Sequence, residues 1–169
     1  GSEMCIRDSA NIKSAKSGAD AYAKIANAQS KFISRGDKSG THAKEMDVWK
    51  MAGIAPSGNW YIITNDFMTA SLKRASLENA YFMTDSSTWV AEKNVAPNLE
   101  VLYKGDKLLV NTYDALVAPV GGTPNRDIAA KFIQFVASDA GQTIIRNYGK
   151  SQYKEALYND AAYAKQYVH

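Results

Sequence analysis

One cysteine, Cys5, stands in 169 residues, so an internal disulfide and a thiolate-built metal site are both out of reach. Histidine is nearly as scarce, with only His42 and the terminal His169. Zinc sites made from His and Cys take three or four such ligands, which excludes that class. No apolar run reaches the ~20 residues of a membrane span, so direct membrane insertion is not expected. Nor is a secretory leader visible: GSEMCIRDS has no apolar middle and carries Glu3, Arg7 and Asp8. Lysine and arginine form no run or stripe, and a net charge of +3 is too mild to mark a nucleic-acid binder. Internal repeats and low-complexity segments are absent too.

What is present is globular. A hydrophobic content of 46% against 22% charged residues supports a folded core rather than disorder. The length suits one domain, or a large part of a two-lobed protein. Gly1-Ser2 has the look of a cloning scar, and residues 1–10 read as a non-native or disordered tail.

Along the chain, strands and helices alternate. Asp20 to Gln29 is an Ala-rich helix with Tyr22, Ile25 and Ala26 on one stripe, and Lys31 to Ser34 is a short buried strand. Thr41 to Ala52 reads as a helix with Ala43, Met46, Trp49 and Ala52 on one face and Gly53 as its stop. Trp60 to Thr64 is a strand, Met68 to Leu77 a helix, and Ala80 to Thr84 a strand. Asp85 then caps a short helix running to Lys93. Glu100 to Tyr103 and Tyr113 to Ala118 are expected as strands. Asn125 to Ala137, with Ile128, Phe132, Ile133 and Val136 inward, and Asp139 to Tyr148 are amphipathic helices. This alternation predicts an α/β fold, in which ligands collect at the carboxyl ends of strands beside helix N-termini.

FISRGDKSGTHAKEMDVWK, residues 32 to 50, is such a point: strand, polar loop, helix. A helix starting near Ser39 leaves backbone N–H groups unpaired. Gly36 and Gly40 allow close approach of a ligand to the backbone, and Ser39 and Thr41 add hydroxyl donors. Arg35 adds a fixed fork of N–H donors suited to a tetrahedral oxyanion. Together they form an anion nest; the plainer alternative is a capped turn with Ser39 as N-cap and Arg35 in solvent.

Asp37 accepts a hydrogen bond from a protonated oxyanion, or pairs with Arg35 and the loop amides if the ligand carries no proton. Ser39, Asp37 and His42 also invite a Ser/His hydrolase reading. Neighbours on one helical turn point apart, however, and His169 lies in a tail, so that reading is a distant one. The buried placement hides Arg-Gly-Asp from any adhesion role. A second strand-end unit, Thr84-Asp85-Ser86-Ser87-Thr88-Trp89, offers Asp85, Ser86 and Thr88 either as ligand donors or as a simple cap.

Four segments carry a resemblance: FISRGDKSGTHAKEMDVWKMAGI, NWYI, SLENAYFMTDSSTW and FIQFVASDAGQTIIRNYG. From about Asn11 to its end the chain resembles the tungstate-binding proteins of bacterial ABC transporters. The shorter Arg-x-Asp-x-Ser-Gly-Thr pattern also resembles phosphate-binding transporter proteins. The resemblance implies a type II periplasmic-binding-protein fold of two α/β lobes closing on an oxyanion. It implies a non-enzymatic capture protein with no cofactor, whose ligand is tungstate, or else molybdate or phosphate. Its partner would be an inner-membrane permease, and its place the periplasm or a lipid-anchored extracytoplasmic position in a bacterium.

By the same resemblance, Arg35 is the anion-binding arginine and Ser39, Gly40 and Thr41 are the donating loop. Asp37 orients Arg35 and the loop. From local chemistry rather than the resemblance, His42, Asp85, Ser86 and Thr88 are expected in supporting parts. No side chain coordinates metal directly. The first-lobe loop rich in Thr and Ser is not found before Asn11. The expectation is therefore an N-terminally truncated chain: a second lobe over 11–110 with the anion loop at 34–42, then a return over 111–169 to an incomplete first lobe. Such a piece should bind anions weakly and expose Phe132, Ile133 and Phe135.

Overall fold

The computed structural model describes residues 2–5 and 8–167. The chain divides into two compact units, Gly1–Val110 and Asn111–His169. In the first, the strands are β1 (Ser2–Cys5), β2 (Phe32–Ser34), β3 (Tyr61–Ile63), β4 (Tyr81–Asp85) and β5 (Val101–Tyr103). Its helices are α1 (Gly18–Asn27), α2 (Gly40–Met51), α3 (Met68–Glu78) and α4 (Ser86–Glu92). The sheet order is β3-β2-β4-β1-β5. β2 runs parallel to both β3 and β4, with Ile33 opposite Ile62 and Phe82. β1 pairs antiparallel with β4 and β5.

β2 is only three residues long, yet all three are buried, because it lies between two parallel neighbours and under helices. Phe32 and Ile33 are fully buried, and Phe32 meets an aromatic cluster. Trp49 of α2 lies 4.3 Å from the Tyr22 ring, 5.2 Å from Phe32 and 5.6 Å from Trp60, centroid to centroid. Each fully buried side chain of this kind contributes on the order of 1.5–3 kcal/mol through lost apolar surface. This cluster fixes α2, and with it the loop that precedes α2, against the sheet.

Three expectations change here. First, Ser2–Cys5 is a strand rather than part of a disordered tail, since it fills the hydrogen-bonding edges between β4 and β5. Asp8 also takes part in the fold, accepting from the Lys13 amide at 2.9 Å, and Ala10 is buried. Second, the inward face of α2 is Glu45, Val48 and Trp49, while Ala43 is exposed and Met46 is 40% exposed. Third, residues 110–119 hold no strand, so Tyr113 to Ala118 is not a sheet element: among the described residues no strand pairs with it, and Leu116 is 91% exposed.

The second unit is helical: α5 (Arg126–Ala137), α6 (Asp139–Asn147), α7 (Lys150–Tyr153) and α8 (Ala161–Ala164). The Ser138 hydroxyl caps α6 by accepting from the Gly141 amide at 3.3 Å. Gly141 is required at this corner, because a Cβ there would come within 2.3 Å of the Phe135 carbonyl oxygen. Ile128 and Phe132, expected inward, are exposed, as is Phe135, while Ile133 and Val136 are half-buried. The amphipathic pattern is real, but the helix pair covers only part of its apolar face.

Candidate anion-binding site

The three parallel strands β3, β2 and β4 end along one edge of the sheet, which gathers the loops at 35–39, 64–67 and 85–88. The first loop turns sharply. Gly36 and Lys38 take left-handed conformations, at φ 64° and 60°. Gly36 also packs so closely that a Cβ would lie 2.3 Å from Ile63 Cγ2 and 2.9 Å from Asn65 Oδ1. No other residue fits both the φ and the space.

Arg35, largely buried, is held from two sides. Its guanidinium forms a very short ion pair with Asp37 Oδ2, and its Nε donates to the Asp66 carbonyl at 3.3 Å. The other Asp37 oxygen, Oδ1, accepts from the Ser39 amide at 3.1 Å. Burial pushes the Asp37 carboxyl up, but hydrogen bonds from Ser39 and the Arg35 charge outweigh it, leaving it below its ordinary value. Asp37 is therefore ionised at neutral pH, and its charge is spent on the arginine and the loop.

Ser39 is the N-cap of α2, its hydroxyl accepting from the His42 amide at 3.4 Å. The His42 imidazole accepts from the Lys38 amide at 3.0 Å through Nδ1. Asp37 bonds to Arg35 and to Ser39, while the His42 imidazole turns to the Lys38 amide, so the three side chains are not strung into a Ser–His–Asp relay. Gly40 and Thr41 open the helix, with Gly40 exposed and no atom within 4 Å of where its Cβ would be. Arg35, Ser39, Gly40 and Thr41 are thereby brought to one helix N-terminus, where partial positive charge and free amides favour an anion.

The 85–88 unit is a cap. Asp85 accepts from the Thr88 amide at 2.7 Å, from the Thr88 hydroxyl at 2.9 Å and from the Ser87 hydroxyl. The Thr88 hydroxyl proton is committed to Asp85, and Ser86 lies in the same turn. Trp89 packs partly buried against the core.

Beneath the first loop lies a group that the sequence reading passes over. Glu45 is 3% exposed, and its Oε1 accepts from the Tyr61 hydroxyl at 2.7 Å and from Trp49 Nε1 at 3.2 Å. Burial raises its carboxyl to about 7, against the opposing effect of Tyr61, Ser34 and Trp49 and with the help of the Asp37 charge. The Ser34 hydroxyl, fully buried at the end of β2, makes no hydrogen bond of regular geometry. The signal in the sequence was the Glu45–Trp49 spacing of four, which places an acid on the same face as a core tryptophan. A cavity of about 420 Å³ lined by Gln29, Lys31, Ser57, Gly58, Asn59 and Trp60 lies at the opposite, amino ends of β2 and β3. Among the described residues no three His, Cys, Asp or Glu side chains converge, and no helix is long and apolar enough to cross a membrane.

This chain is similar to known proteins. Residues 6–140 match the PBP superfamily domain. The chain belongs to the PBP superfamily. Its mixed sheet, parallel over β3-β2-β4 and antiparallel over β4-β1-β5, belongs to a fold shared with solved tungstate-binding structures. A tungstate-binding protein, TupA, of Peptoclostridium acidaminophilum is 36% identical over 146 residues, covering 84% of this chain and 50% of the relative. TupA of Campylobacter jejuni is 35% identical over 130 residues, covering 73% and 48%. The solved tungstate-binding protein TupA of Desulfovibrio alaskensis superposes with a TM-score of 0.79 at 33% identity, over 94% of this chain and 66% of that one. The tungstate ABC transporter structure from Geobacter sulfurreducens gives 0.73 at 33% identity, over 88% and 64%. The PBP chain described here spans about half the length of the curated relatives it matches.

Proposed function

We propose that this chain is part of the substrate-binding component of an ABC transporter, capturing a tetrahedral oxyanion and presenting it to a membrane permease. The observation that carries this reading is the double tether of Arg35. Its fork is fixed by Asp37 and the Asp66 carbonyl beside the open N-terminus of α2. A charged fork and free amides on one rigid scaffold suit an acceptor-only dianion.

Arg35 and the Ser39, Gly40 and Thr41 loop are the ligand donors, and Asp37 sets their geometry. His42 steadies the loop through the Lys38 amide. Asp85, Ser86 and Thr88 hold the neighbouring strand end at the same edge. Residues 11–110, with β1 completing their sheet, correspond to the second lobe and 111–169 to the return toward a first lobe that supplies the opposing half of the site. The protein works as a binder without a cofactor, outside the cytoplasm.

Tungstate is the favoured ligand because two curated relatives and two solved structures at 33–36% identity are named for tungstate. Molybdate is nearly the same size and equally a pure acceptor, so hydrogen-bond chemistry alone does not rank the two. Phosphate is the runner-up: its proton calls for an acceptor, and Asp37 is the carboxylate beside the site, one oxygen taking Arg35 and the other the Ser39 amide. A thermal-shift series on the full-length protein with tungstate, molybdate, phosphate and sulfate tests the reading. Stabilisation by tungstate or molybdate above the other two is expected, and no stabilisation by any of the four would overturn it.

A further inference from the structure

The anion loop rests on a buried acid. Glu45 lies in the second turn of α2, roughly 6 Å along the helix axis from Thr41 at 1.5 Å per residue. Its bond from Tyr61 fastens that turn to β3. β3 in turn leads directly into the 64–67 loop, whose Asp66 carbonyl holds Arg35. Thr64 steadies that loop: its amide donates to the Ser34 carbonyl at 2.9 Å, and its hydroxyl lies 3.0 Å from that of Ser71. Both halves of the clamp, the helix N-terminus and the arginine, are thus joined through the Glu45–Tyr61 contact.

We propose that Glu45 is the positioning residue of the oxyanion loop and takes up a proton when an anion occupies it, so that binding is linked to pH through this buried carboxyl. The inference rests on the oxyanion reading above.

The charged and titratable groups acting on Glu45 come from several elements. Asp37 reaches it from the loop, Tyr61 from β3, and Tyr22 of α1 feels its charge. Trp49 of α2 and Ser34 of β2 complete its surroundings. Asp37 already shows how negative charge in the loop acts: it favours the neutral form of Glu45. A dianion on the loop amides adds charge of the same sign in the same region. Burial, helped by the Asp37 charge and opposed by its hydrogen bonds, already brings Glu45 to about 7, so a modest further push moves its proton. Asp37 stays ionised, held by Arg35 and Ser39, and does not compete for that proton. The sign follows: a carboxyl with a raised bound-state pKa favours binding at low pH, and affinity falls as pH rises through neutrality.

Calorimetry of the full-length protein with sodium tungstate, in two buffers of different ionisation enthalpy, measures the proton directly. Tungstate has no proton to exchange near pH 7. Wild type should take up on the order of half a proton per anion there. Glu45→Gln should take up no proton, and its affinity for tungstate should not vary between pH 6 and pH 8. Tyr61→Phe removes a donor that favours the charged form and should shift the uptake window to higher pH. Normal tungstate binding with equal proton uptake in wild type and Glu45→Gln, or an unmoved window in Tyr61→Phe, overturns this inference alone. Absence of tungstate binding by wild type overturns the oxyanion reading and this inference with it.

Discussion

Asp37 pairs with Arg35 across a single glycine, and its second oxygen takes the Ser39 amide. One carboxylate therefore ties the arginine to the start of α2. A negative side chain in an anion loop would otherwise oppose its ligand. Here it is neutralised by the arginine it aims.

Asp37→Ala should weaken oxyanion binding by about tenfold, roughly 1.4 kcal/mol, because Arg35 loses its aim and the Ser39 amide its partner. Isothermal calorimetry at fixed salt measures it. Tighter binding in this variant would mean that the carboxylate only repels the anion.

Gly36→Ala should lower stability by on the order of 1–3 kcal/mol, from the positive φ and the clash with Ile63 and Asn65. Gly40→Ala is the control: its Cβ meets open space, so its effect on stability should stay within ~0.5 kcal/mol. Urea midpoints of the two variants check the contrast. Equal losses would place the strain elsewhere.

Glu45 makes stability depend on pH even without ligand. Its folded-state value of about 7 lies above the ordinary 4.5, so the fold favours the neutral carboxyl. That stabilisation is complete below about pH 4.5 and is lost as pH rises toward 7, by about 3 kcal/mol in all. Glu45→Gln cannot ionise and should be flat over this range. Urea unfolding at pH 5 and pH 8 should show the variant gaining on wild type by that order at the higher pH. Parallel pH profiles would contradict the buried-acid assignment.

Much of the site was legible in the residues. Ser39 as cap, the two glycines and a strand ending at Ser34 follow from local chemistry, and local chemistry decides loops and helix starts. What sequence hid was decided by distant partners. Glu45 looks like a surface residue until Tyr61 and Trp49 close over it. The expected stripe through Ala43 and Met46 shares only Trp49 with the face that Glu45, Val48 and Trp49 bury, because apolar spacing does not point to an acid as a core residue. Tyr113 to Ala118 has the composition of a strand but no strand to pair with among the described residues. Ser2–Cys5 shows the reverse: a segment with no local strand signal pairs as a strand because β4 and β5 leave edges that need a partner.

The most direct test is calorimetric titration of the full-length protein with tungstate, comparing wild type with Arg35→Ala. Wild type should bind, and the variant should lose roughly 1.5–3 kcal/mol of affinity, about ten- to 150-fold, since the contact removed is charge-assisted and largely desolvated. Equal affinity in the two proteins would contradict Arg35 as a ligand, and with it the oxyanion clamp.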